Sequence, residues 1–106
     1  MKINLVYMTA GTAEEAESIG KELVSSGLAA CVNIIENMKS IYFWEGELQK
    51  DAEVVLIAKT IESNVSSLIE KVKLLHSYDC PCVISLPVLD GNKSFMDWIE
   101  DSVKKP

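Results

Sequence analysis

Arginine is absent: all ten basic residues of this 106-residue chain are lysines, set against sixteen acids for a formal charge of −6. Nucleic-acid binders concentrate cationic side chains on one face, often with arginine forks for phosphate or guanine. Lysines scattered among more numerous acids exclude that partner class. Cysteine is scarce as well. Three residues, Cys31, Cys80 and Cys82, at irregular spacing do not make an oxidised secreted framework, and they predict a reducing, cytoplasmic setting. No apolar run approaches a membrane span, and the opening "MKINLVYMTAGT" alternates like a strand rather than reading as a leader, so no membrane partner is expected. Motifs for catalysis are missing too. "AGTAEE" lacks the further glycines and the lysine of a phosphate loop, no G-x-S-x-G occurs, and a lone histidine near cysteines is not a catalytic constellation. The sequence therefore reads as a binding protein, not an enzyme.

What is present is a well-patterned chain, 48% apolar, that reads as one domain over residues 1–106. "INLVYMT" (residues 3–9) predicts a strand with Ile3, Leu5 and Tyr7 on one face. Thr12 and Glu15 match a capping box opening a helix whose stripe is Ala16, Ile19, Gly20, Leu23 and Val24, ended by Gly27. Two long strands then meet at "WEGE", where Gly46 suits a tight turn. The returning strand carries "VVLIA" (54–58), apolar at both parities and so expected to be covered on both faces. A helix over about 62–76 with Val65, Leu68, Ile69, Val72 and Leu75 follows, then a buried strand "CVISLPVL". A last helix, capped by Ser94 and Asp97, carries Met96, Ile99 and Val103.

The order β-α-β-β-α-β-α predicts an α+β, ferredoxin-like split βαβ sandwich with a long β-hairpin and an added C-terminal helix. Right-handed crossovers give the sheet order fourth, first, third, second strand, with the first two helices on one face. The bare face calls for a second copy of the chain or the last helix. The hairpin, with "IYFWEG" at its tip, reads as an arm toward a neighbour, with Tyr42 and Trp44 as interface anchors and Glu45 reaching a neighbour's rim. Both features point to a homo-oligomer. Stacking of a ligand on Tyr42, Phe43 and Trp44 is the competing use of those aromatics.

The same topology gathers Met8, His76, Tyr78, Cys80 and Cys82 at one end of the sheet and sends Cys31 to the other. On an extended strand Cys80 and Cys82 share a side, and with Met8 and His76 they form a soft set suited to Cu(I). The plainer reading of "LLHSYDCPCV" is a helix-to-strand joint, in which the cysteines are small packing residues and His76 caps the helix. Glu14, Glu15 and Glu17 read as a solvated helix face.

Over nearly its full length the chain resembles the CutA family of divalent-cation tolerance proteins. The blocks that carry the likeness are "VYMTAGTAEEA", "LVSSGLAACVNII", "SIYFWEGELQKDAEVVLIAKT", "LHSYDCP" and "LPVLDGNKSFMDWI". The resemblance implies a compact homotrimer like that of the PII signalling proteins, with long hairpins extending the sheets across subunit boundaries. It also implies copper binding, as Cu(I) or Cu(II), or binding of another divalent metal, by the residues at the end of the first strand and at the histidine of the H-x-Y turn. Those positions are Met8 and His76 here. Some members carry cysteine at the first and a second histidine before the turn histidine, where this chain has Met8 and Leu75. Asp79 stands where members commonly have glutamate. An alternative role is that of a PII-like signalling or scaffold trimer holding a small molecule or partner protein in its subunit clefts.

Overall fold

The computed structural model describes residues 1–106. Strand β1 (Ile3–Ala10) leads to helix α1 (Ala13–Ser25), and the long strands β2 (Cys31–Trp44) and β3 (Glu47–Ile61) form the hairpin. A 3-10 turn (Glu62–Asn64) precedes helix α2 (Val65–Leu75), followed by β4 (Val83–Pro87) and helix α3 (Lys93–Ser102). The sheet runs β2-β3-β1-β4 with every neighbouring pair antiparallel, which is the split βαβ order. No helix is long and apolar enough to cross a membrane.

Local chemistry explains the ends. Thr12 Oγ1 accepts the N–H of Glu15 at 3.1 Å to open α1, and Gly27, at φ 77°, closes it while its carbonyl accepts the N–H of Lys104. A side chain at Gly27 would come within 2.8 Å of Lys104 Cβ, so both its φ and its neighbour require glycine. Glu45 (φ 51°) and Gly46 (φ 80°) make the two-residue hairpin turn between paired Trp44 and Glu47. The last helix departs from expectation. Its cap is Asn92, whose Oδ1 accepts the Ser94 N–H at 3.1 Å, rather than Ser94 itself.

The core lies between the sheet and α1 with α2, where Val6, Met8 and Ala10 of β1 meet Val54, Leu56 and Ala58 of β3 beneath Ile19, Leu23, Leu68 and Val72. The odd-numbered residues of β1 take the opposite face. There Ile3 joins Ile61, Ile99 and Val103 under α3, so the last helix covers one end of that face. Beyond it the face is open: Ile84 and Leu86 are more than half exposed. This corrects the expectation of a buried fourth strand. β4 is a five-residue edge strand whose outward side chains lack cover within the chain, and Cys80 and Cys82 precede it.

The hairpin bends where Glu36 and Asn37 together oppose the single residue Val54, between the pairs Ile35–Val55 and Met38–Glu53. Asn37 takes φ 65° at this bulge. Past it the arm leaves the body and stretches the molecule to 45 × 26 × 21 Å.

Candidate metal-binding rim

His76 ends α2, donating its backbone N–H to Val72, and turns a fully buried side chain toward the end of β1. Its Nε2 lies 2.7 Å from the Thr9 carbonyl oxygen, and its Nδ1 accepts the Tyr78 backbone N–H at 3.1 Å. A carbonyl only accepts and a backbone N–H only donates, so these partners assign the neutral Nε2–H tautomer. Both ring nitrogens are thereby used inside the protein. A metal reaching His76 has to displace one of these bonds.

Glu15 reinforces the same turn. One carboxylate oxygen accepts the Ser77 N–H at 2.8 Å and lies 3.8 Å from His76 Nδ1, while the other accepts the Gly11 N–H at 3.4 Å. Burial pushes this acid up, but the hydrogen bonds from Ser77 and Gly11 outweigh that and hold it below its ordinary range. The sequence offers Glu15 two roles, as capping-box partner of Thr12 and as part of a solvated acidic face. Its position three residues after a threonine cap is the signal that does mark it for a backbone role, although here it reaches across to Ser77.

Tyr78 covers the rim. Its ring centroid is 4.6 Å from that of His76, and its hydroxyl donates to Glu53 Oε2 at 3.0 Å. Burial first, then the hydrogen bond to Glu53 and its charge, push the phenol up to about 12. A methyl group at Gly11 would sit 3.2 Å from the Tyr78 oxygen, so the absence of a side chain there makes room for the ring.

The cysteines are differently placed. Cys80 is exposed in the turn after His76, and Cys82 is half-buried just before β4. Burial first, then the Glu53 charge, pushes the Cys82 thiol up. Neither belongs to a strand, so the same-side bite expected of an extended segment is not set by β-pleating. All three cysteines are free, and Cys31, level with Lys59, sits at the far end of the sheet.

Met8 is the clearest correction. It is 1% exposed and packed in the main apolar cluster, because the register that pairs it with Leu56 and Val83 turns it toward the helices. Its sulfur is not offered to the rim. No three histidine, cysteine, aspartate or glutamate side chains of the chain converge as a metal-holding group. Tyr42 donates its hydroxyl to Asp51 within the arm, and Trp44 and Glu45 stand at the tip. The six residue steps from Glu47 to Glu53 put the tip about 20 Å from the rim of its own chain.

Known proteins share this architecture. A model of the CutA1 divalent ion tolerance protein family matches residues 4–102. Protein CutA 1, chloroplastic, from Oryza sativa subsp. japonica is 43% identical over 95% of this chain, which spans 57% of that protein's length. The divalent-cation tolerance protein CutA of Archaeoglobus fulgidus is 42% identical over 95% of this chain and 98% of its own length. The crystal structure of CutA1 from Oryza sativa superposes with a TM-score of 0.98 at 40% identity, covering 100% of this chain and 97% of that one. With a family match across nearly the whole chain, relatives above 40% identity and a shared topology, the chain belongs to the CutA1 divalent ion tolerance protein family.

Proposed function

We propose that this protein serves divalent-cation tolerance as a homotrimeric, PII-like binding protein, and that it captures copper or a similar thiophilic metal ion through Cys80 and Cys82. The observation that carries the reading is a pair of free thiols on either side of Pro81, on a turn whose base is pinned by Glu15, His76 and Tyr78. Thiolate is the donor type that suits Cu(I), and two such donors stand one residue apart in this turn. His76 acts in this reading as the anchor of the turn, and Met8 as core. The names of relatives, such as the Archaeoglobus divalent-cation tolerance protein, support the physiological role.

Assembly is supported by apolar surface that the subunit leaves bare. Ile84, Leu86 and Ile35 on the sheet and Ile41, Phe43, Trp44 and Leu48 on the arm are each more than half exposed, apolar surface that a second copy of the chain can cover. The two sheet edges, β2 and β4, are also unpaired within the subunit. Free thiols support a reducing, cytoplasmic setting for the protein.

The test is a competition titration of the reduced, metal-free protein with Cu(I), Cu(II) and Zn(II) against chelators of graded affinity. Tight Cu(I) binding lost in a Cys80→Ser, Cys82→Ser double variant is expected; binding that is weak and unchanged by both substitutions overturns the metal site. A second reading, a small-molecule sensor, draws on a groove of about 600 Å³ between α1 and β2, floored by Gly20, Val32 and Ile34 and flanked by Glu17 and Lys21. A metabolite that raises the melting temperature while chelators leave it unchanged selects this second reading.

A further inference from the structure

Glu53 stands where β3 leaves the body: Val54 and Val55 after it are buried, and Asp51 and Ala52 before it are exposed. Its two carboxylate oxygens serve different parts of the molecule. Oε1 accepts the Ser40 hydroxyl at 2.6 Å from the facing strand of the arm, and Oε2 accepts the Tyr78 hydroxyl at 3.0 Å from the rim turn. Ser40 lies beyond the Glu36–Asn37 bulge, in the projecting half of β2. Tyr78 is held from behind by its backbone bond to His76 and by ring contact with it. One carboxylate therefore joins the segment that carries the two thiols to both strands of the arm.

We propose that Tyr78, Glu53 and Ser40 form a relay that couples the Cys80–Cys82 turn to the hairpin arm, so that loading the thiols changes the order of the arm. Its use in metal response rests on the copper reading above; the mechanical bridge does not. Placement sets the coupling. Tyr78 lies two residues before Cys80, so a turn drawn in by two thiolates on one metal ion shifts the phenol that Glu53 holds. The carboxylate keeps Tyr78 only by giving up Ser40, or keeps Ser40 only by giving up Tyr78. Loading thus loosens the arm, which carries the exposed apolar residues expected to engage a neighbouring copy.

Backbone amide exchange followed by mass spectrometry tests this in two stages. In the metal-free protein, Tyr78→Phe is expected to speed exchange in residues 38–42 and 49–53 about fivefold, and Ser40→Ala to do the same in residues 76–82, because one hydrogen bond is removed from the path. The double variant should change no more than the larger single one. Effects confined to the substituted segment, or simply adding, overturn the coupling. On adding one equivalent of Cu(I), wild type should respond in both turn and arm, and Tyr78→Phe in the turn alone. A wild-type response limited to the turn, with Cu(I) bound, overturns the relay. Absence of Cu(I) binding overturns the metal reading, and the metal-free comparison then decides the coupling alone.

Discussion

The carboxylate of Glu15 accepts the backbone N–H of Ser77 at 2.8 Å, joining the first turn of α1 to the turn after α2 across 62 residues of chain. That bond fixes the base of the segment bearing both rim cysteines. Because the folded carboxylate is held below its ordinary value of 4.5, its contribution to stability is present above that value and lost as pH falls through the lowered folded value. Glu15→Gln is expected to cost about 1–2 kcal/mol near neutrality, in keeping with a hydrogen bond to a charged group. Denaturant unfolding across the acid range should show the gap to wild type closing below pH 4.5.

The hydroxyl of Tyr78 gives an alkaline counterpart. Its folded value, about 12 against an ordinary 10.0, means that its contribution is complete below pH 10 and disappears as pH rises toward 12. In an absorbance titration of phenolate formation, wild type should show a late component that Tyr78→Phe removes. Gly11→Ala should move the same component downward, since a methyl 3.2 Å from the oxygen displaces the ring from Glu53.

Met8 provides a control that separates core from site. Met8→Leu conserves volume and should cost less than about 1.5 kcal/mol while leaving metal affinity unchanged. Loss of affinity in chelator competition, with the fold intact by circular dichroism, would return Met8 to the ligand set.

Trp44 is 62% exposed at the arm tip and makes no contribution to the apolar clusters of its own subunit. Trp44→Ala should weaken assembly by about 2 kcal/mol or more, as for a buried aromatic anchor, and leave subunit secondary structure unchanged. Sedimentation over a dilution series checks this; a variant that stays assembled at nanomolar concentration removes Trp44 from the interface.

Much of the fold is legible in the chain because its signals are local and mutually consistent. Thr12 and Gly27 bound α1 where capping chemistry requires, Glu45–Gly46 turns the hairpin, and chirality of crossovers orders the strands. The core side of β1 is not legible from composition, since its odd and even positions both carry apolar side chains, and the packing of Val6 and Met8 against α1 and α2 decides which set faces the helices. The rim was legible as a place but not as a set of bonds. Met8 and His76 do approach the same end of the sheet, yet one faces the core and the other has both nitrogens engaged. Glu53 carried no signal at all: its role depends on Ser40 and Tyr78, 13 and 25 residues away, meeting at a bulge that no spacing rule locates.

The most direct test of the central claim is X-ray absorption at the copper edge of the reduced protein loaded with one equivalent of Cu(I). A first shell of two sulfur atoms, lost in the Cys80→Ser, Cys82→Ser variant and kept in Met8→Leu, is the expected result. A shell containing imidazole nitrogen would contradict the account, because His76 would then have abandoned Thr9 or Tyr78 to bind the metal.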